Sequence, residues 1–286
     1  MKTYDEQLTH MVEEALQEDI GEGDHSTLSV IPKEQKGKAV LKIKADGILA
    51  GVAVAEKIFA LKDASSVFTK YKNDGDEMKY GDIAFEVFSS IQTILQCERL
   101  VLNCMQRMSG IATLTRQYAD KLKGYHTKVL DTRKTTPNFR LLEKEAVRIG
   151  GGVNHRFALY DMIMLKDNHI DYSGGLQPAI GKAFSYVQAN HLNLKIEVET
   201  RTLEDVKMVC IIGKGKVFRI MLDNFTPEKV NEALGIINGE FETEASGGIN
   251  LNTVESFAKT GVDYVSVGGL IHQAQSLDLS LKAELK

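Results

Sequence analysis

From Gly124 onward the sequence repeats one pattern: a short apolar run, a polar or glycine break, then an amphipathic stretch. Few folds accept it. The apolar runs lack the charged alternate face of a solvated strand, so both faces must be covered, and the amphipathic stretches supply the covers. This reading places parallel strands at Lys128–Asp131, Asp161–Leu165, Leu194–Val198, Arg219–Leu222, Phe241–Ala245 and Tyr264–Val267. Helices are expected near Asn138–Ile149, Leu176–Gln188, Thr202–Ile212, Thr226–Ile237 and Leu251–Lys259, with Pro227 as a start signal and Gly261 as a stop. Six strands fall short of a closed eight-stranded barrel, so the expectation is an open, incomplete α/β barrel.

Upstream the texture differs. Residues 4–19 predict a helix with Leu8, Val12, Ala15 and Leu16 on one face, and GEGDHST after it reads as a polar connector. From Lys36 the period changes to two, as in a half-exposed strand. A short helix near Val52–Leu61 and strands at Val67–Tyr71 and Ile83–Phe88 follow. A long helix, from Ile91 to about Met108, leads out of this part with Glu98 inside its apolar stripe and Arg99 at the edge. The expectation is therefore a small α+β unit up to about residue 110 and a C-terminal barrel domain over 111–286. A C-terminal helix would pack back on the first domain.

A net charge of −4 excludes a generally basic surface, so nucleic acid is not an expected partner. No apolar run approaches the roughly 18–20 residues of a membrane-spanning helix, and the start MKTYDEQLTH carries acids where an export signal needs an apolar core. The three cysteines form no CxxC pair, which suits reduced thiols in a cytoplasmic protein.

Each inferred barrel strand ends in a polar or glycine feature, where barrels of this kind carry their chemistry. In order these are Asp131-Thr132-Arg133-Lys134, Lys166-Asp167-Asn168, Glu199, Asp223-Asn224, Ser246-Gly247-Gly248 and Gly268-Gly269. Asn154-His155-Arg156 adds two more basic groups. Arg133, Lys134, His155, Arg156 and Lys166 thus form a local cation cluster on an acidic chain, suited to a small polyanion. Guanidinium forks engage carboxylates bidentately. The two glycine pairs suit a phosphate held by backbone N–H groups. Glu199 and Asp223 can bind Mg²⁺, accept hydrogen bonds from sugar hydroxyls, or only neutralise the lysines. With no third carboxylate, a Mg²⁺ carried mainly by substrate phosphates is expected rather than a protein cage. His169 reads as a hydrogen-bonded loop histidine.

The motifs TRKTTP, GGGVNHR, MLKDNH, EVE, MLDN, EASGGI and SVGGL, in this order, resemble the quinolinate phosphoribosyltransferase family. LQEDIGEGDHST and ERLVLNCMQRMSGIAT match as well, so the likeness covers nearly the whole chain. Asn138-Phe139 departs from the Gly-Leu pair that many members carry. The resemblance implies an N-terminal α/β sandwich domain over residues 1–110, a C-terminal open α/β barrel of roughly seven strands, and a homodimer, at least, in which Arg99 reaches the neighbouring active site. It implies that Arg133, Lys134, His155, Arg156 and Lys166 bind quinolinate and pyrophosphate. Glu199 and Asp223 would hold ribose hydroxyls near Mg²⁺, and Ser246, Gly247, Gly248, Gly268 and Gly269 the 5′-phosphate. Lys134, Lys166, Glu199 and Asp223 would be the catalytic groups. The rival readings are a phosphoribosyltransferase acting on nicotinate, a Schiff-base aldolase with Lys166 as nucleophile, and a non-catalytic phosphosugar-binding protein.

Overall fold

The computed structural model describes residues 2–284. In chain order it contains α1 (Tyr4–Ile20), α2 (His25–Val30), β1 (Lys36–Ile43), β2 (Gly47–Ile48), α3 (Val52–Lys62), β3 (Val67–Lys70), β4 (Glu77–Met78), β5 (Ile83–Ser90) and α4 (Ile91–Lys121). There follow β6 (Lys128–Leu130), α5 (Arg140–Ile149), β7 (Ile163–Leu165), α6 (Asp167–Ser173), α7 (Leu176–Ala189), β8 (Ile196–Thr200), α8 (Leu203–Ile212), β9 (Arg219–Asp223) and α9 (Pro227–Ile237). The chain closes with β10 (Glu242–Ser246), α10 (Val254–Ala258), β11 (Tyr264–Ser266), α11 (Gly269–His272) and β12 (Leu279–Glu284). These form two compact units, one of residues 1–116, 135–151 and 270–286, the other of 117–134 and 152–269.

The first unit is built on an antiparallel sheet of order β12-β1-β5-β3. Helix α3 lays Ile58 and Phe59 on it, and Phe59 meets Phe68 and Phe85, whose own rings stack 4.3 Å apart. Beyond their buried area, such ring pairs contribute about 0.5–1.5 kcal/mol each. Helix α1 starts from a capping box, Thr3 accepting from the Glu6 N–H while the Glu6 carboxylate takes the Thr3 N–H, and buries Leu8 and Val12. Three expectations are corrected here. GEGDHST is not all connector, because Asp24 caps α2 by accepting from Thr27 N–H. The long helix does not stop near Met108 but runs to Lys121. The C-terminus brings no helix back: residues 279–284 are a strand, paired antiparallel to β1 with Leu41 opposite Leu281. To reach β1 the C-terminal segment crosses α4 at Gly110, where an added Cβ would stand 2.0 Å from the Gln275 carbonyl oxygen. Only glycine permits that approach.

The second unit is a parallel sheet of order β6-β11-β10-β9-β8-β7, with helices between successive strands. Its strands are buried on both faces, the reason they read as continuous apolar runs. A seventh segment is reduced to a single parallel bridge between Val153 and Leu130, on the far side of β6. Six strands and one bridge make an open barrel whose edges are that segment and β7. Among the described residues, no helix is long and apolar enough to cross a membrane.

Candidate active site

The strands of the second unit are parallel, so their C-terminal ends share one rim, and every expected charged or glycine feature of the barrel lies there or just beyond it. Lys166 ends β7 and opens α6; its Nζ is 3.3 Å from Glu199 Oε2, and the Asp167 N–H reaches Glu199 Oε1 at 3.3 Å. His169 sits in the first turn of α6 rather than in a loop, its Nδ1 accepting the Lys166 N–H at 3.0 Å. Glu199 lies inside β8 rather than just after it, because the strand runs to Thr200, two residues beyond the expected end at Val198.

Asp223, at the end of β9, is held by two donors: Ser246 Oγ at 2.6 Å and Asn224 Nδ2 at 2.6 Å. The Asn224 N–H donates to the Ser246 carbonyl at 2.8 Å, so the ends of β9 and β10 are tied by main chain as well. Gly247 has φ +94° and packs against Asn224: a Cβ there would meet Asn224 Oδ1 at 2.2 Å and its backbone nitrogen at 3.0 Å. A Cβ on Gly248, φ +65°, would stand in open space. Side chain is excluded at one glycine, and main chain is left accessible at the next. Gly268 and Gly269 follow β11, Gly269 opening α11.

Arg133 and Lys134 are exposed on the loop after β6. Arg156 is half-buried, its Nη1 donating to the Met162 carbonyl at 2.9 Å. Burial, and next the charge of Arg133, hold the Arg156 guanidinium below its ordinary range. The Glu197 and Asp161 carboxylates oppose that shift. Arg99 lies in the first unit, exposed on α4.

His155 is placed differently from the other cations. Its side chain is only 5% exposed and its Nε2 faces into the barrel, 3.0 Å from Glu197 Oε2 and 3.3 Å from Glu244 Oε2. Nδ1 accepts the Arg156 N–H at 2.7 Å, and the His155 N–H donates to buried Asp131 at 2.8 Å. Beneath it Arg219 Nη1 reaches Glu244 Oε2 at 3.0 Å and Nη2 reaches Glu242 Oε2 at 2.9 Å, with the Tyr264 ring 4.4 Å away. Burial pulls the His155 ring down, the facing Glu197 and Glu244 carboxylates push it up, and the Arg156 N–H at Nδ1 favours the ring with its one proton on Nε2. Burial, and next the Glu244 charge, push Glu197 up to about 7. Burial also raises Glu244, yet His155 and Arg219 prevail and hold its carboxyl below the usual range.

Glu197, Arg219, Glu242 and Glu244 escaped sequence reasoning, although glutamates at alternate positions of apolar strands (Glu197 with Glu199, Glu242 with Glu244) were the available signal. A carboxylate facing a barrel interior must find a partner there. His155, Glu197 and Glu244 offer ligand atoms within 4.8 Å of one another, as a metal site would. Arg219 Nη1, however, stands 3.0 and 3.7 Å from those two carboxylates, so the cluster already holds a cation.

An open parallel barrel with charges and glycines along its strand C-termini places the chain among α/β-barrel proteins, which carry their active sites on that rim. The family profile for the quinolinate phosphoribosyl transferase C-terminal domain matches residues 111–282, and that for its N-terminal domain matches residues 24–109. The chain belongs to the quinolinate phosphoribosyltransferase family. It is 44% identical over 295 residues to quinolinate phosphoribosyltransferase [decarboxylating] 2b, mitochondrial, of Nicotiana tabacum, covering 99% of this chain and 83% of that one. Identity to the probable nicotinate-nucleotide pyrophosphorylase [carboxylating] of Bacillus subtilis (strain 168) is 42%, covering 98% and 94% of the two chains. The crystal structure of NadC from Streptococcus pyogenes superposes with a TM-score of 0.90 at 42% identity, covering 96% of this chain and 95% of that one.

Proposed function

We propose that this protein transfers the phosphoribosyl group of phosphoribosyl pyrophosphate to quinolinate, giving nicotinate mononucleotide, CO₂ and pyrophosphate, a step of NAD biosynthesis. One observation carries the reading beyond the family match: two guanidinium groups, two lysines, two carboxylates and a glycine turn follow the C-terminal ends of the parallel strands of one barrel. Arg133 and Arg156 grip the two carboxylates of quinolinate, a diacid matching their combined charge. The 5′-phosphate lies against the main chain of Ser246–Gly248 and Gly268-Gly269. Lys134 and Lys166 take the departing pyrophosphate. Glu199 and Asp223 accept ribose hydroxyls and steady the positive charge that grows on the sugar as the pyridine nitrogen attacks its anomeric carbon.

Ribosylation leaves the ring nitrogen cationic. That nitrogen then stabilises the electron pair left at C2 as CO₂ departs, and a proton replaces the carboxyl group. No organic cofactor is required by this sequence. Glu199 and Asp223 each already accept from neighbours, a donor set that fits a Mg²⁺ whose remaining ligands are phosphate oxygens and water. Bound there, the ion would neutralise leaving-group charge. His155 supports Arg156 from beneath. The exposed position of Arg99 suits a homodimer in which it reaches the neighbour's site, and three free thiols suit the cytoplasm.

Lys166 is exposed and ion-paired to Glu199, the setting of an anion-binding cation rather than of a desolvated Schiff-base nucleophile. Product analysis after mixing quinolinate, phosphoribosyl pyrophosphate and Mg²⁺ tests the reaction: nicotinate mononucleotide, CO₂ and pyrophosphate should appear together. Nicotinate should be rejected by about 10⁴-fold or more, because it leaves cations unpaired. Comparable turnover of both acids would refute the substrate assignment.

A further inference from the structure

Helix α4 carries a guanidinium with partners on every side. Arg107 Nε and Nη2 donate to Glu143 Oε1 at 3.1 and 2.9 Å, Nη1 to the Ala274 carbonyl at 2.8 Å, and Nη2 also to the Ile271 carbonyl at 2.8 Å. Glu143, on α5, is fully buried. Its carboxylate takes two further bonds, from the Thr136 N–H to Oε2 at 2.8 Å and from the Thr136 hydroxyl to Oε1 at 2.9 Å. Arg140, from the start of the same helix, donates to the Thr135 hydroxyl at 3.0 Å.

The chain connectivity of those contacts is informative. Thr136 lies two residues beyond Lys134, and Ile271 two residues beyond Gly269. One ion pair therefore anchors the far end of the loop bearing Arg133 and Lys134, and also the segment that leaves the second glycine pair. The near end of the loop is anchored by Asp131, whose N–H donates to the Val153 carbonyl at 3.1 Å. Between the anchors, Lys134 N–H to Thr132 Oγ1 at 3.1 Å ties the loop to itself.

Stability alone does not account for such a pair. A buried ion pair is commonly matched or bettered by apolar residues of the same volume. Here the partners are main-chain groups and hydroxyls of segments next to the binding residues, and ordering a loop before the ligand arrives lowers the entropy lost on binding. We propose that Arg107 and Glu143 are positioning residues: a clasp that acts through Thr136 to hold Arg133 and Lys134 ready for the anionic substrates. The proposal rests on the reading that Arg133 binds quinolinate.

The test is a double-mutant cycle of Thr136→Val with Arg133→Ala, reading KM for quinolinate, kcat and the thermal midpoint. Thr136→Val removes one hydroxyl bond to Glu143 and keeps the shape. It should raise quinolinate KM about fivefold, the scale of one lost hydrogen bond, with kcat nearly unchanged and the thermal midpoint lowered by only a few degrees. In the Arg133→Ala background it should add nothing, since the residue it positions is gone. Arg107→Lys, which keeps the charge but not the fork, should behave alike. Effects that multiply independently, or a fall in thermal midpoint with KM unmoved, would overturn the clasp while leaving Arg133 at the substrate. An unchanged KM in Arg133→Ala itself would overturn both the clasp and the role given to Arg133.

Discussion

Gly247 offers a quantitative test of the turn after β10. Alanine there would place Cβ 2.2 Å from Asn224 Oδ1, 2.7 Å from its Cγ and 3.0 Å from its backbone nitrogen, at φ +94°. The backbone strain alone is on the order of 1–3 kcal/mol. Rotating the Asn224 side chain away would sacrifice its 2.6 Å bond to Asp223, a charged acceptor, worth about 1.5–3 kcal/mol. Rotation would not relieve the contact with the Asn224 nitrogen, which is fixed by its bond to the Ser246 carbonyl. Gly247→Ala should therefore destabilise the fold by about 2–4 kcal/mol, allowing for partial relaxation. It should also raise KM for phosphoribosyl pyrophosphate, since Asp223 and the turn shift together. The comparison is Gly248→Ala, whose Cβ meets nothing within 4 Å and whose φ of +65° is left-handed helical. That variant should lose only about 1 kcal/mol. Urea unfolding of both variants, with phosphoribosyl pyrophosphate kinetics, decides it. If Gly247→Ala matches Gly248→Ala in stability and KM, the packing account of this turn is wrong.

Two further outcomes follow from the buried groups. Glu197 is raised from 4.5 to about 7, so it binds its proton more tightly folded than unfolded. Its contribution is full below the unfolded value and is lost as pH rises through the folded one, so stability should decline from about pH 5 towards pH 7, and Glu197→Gln should flatten that slope; a steeper or unchanged slope in urea unfolding would contradict the assignment. Burial pushes the Cys97 and Cys104 thiols up to about 12, whereas Cys210 is only half-buried. A thiol reagent should therefore label at most Cys210 in the native protein and all three cysteines after denaturation.

The barrel was legible in the sequence because hydrophobic runs and their polar stops report burial locally. All six parallel strands fall where the apolar runs lie, and Thr226-Pro227 begins α9 as expected. The N-terminal sheet was half legible. Its fourth strand, β12, carries no local sign of its partner, since β1 lies at the other end of the sequence. The overrun of α4 past Met108 has a similar cause, for Gly110 looks like a stop in sequence but serves the close passage of the Gln275 backbone. Asn138 has φ +62°, a conformation asparagine tolerates better than most residues. At the site, charge type and strand-end position marked the rim residues. The inward ring of His155 and the buried pairs of Arg219 and Arg107 were not readable, because which way a side chain points depends on strand register and loop path.

The place of β12 has a practical bearing on how this protein is made. A ribosome releases β1 early and its neighbour β12 almost a full chain length later, so the antiparallel sheet waits, with one edge uncovered, for nearly the whole of translation. A fragment cut near residue 110 would lack that strand for good, and is a poor candidate for expression on its own.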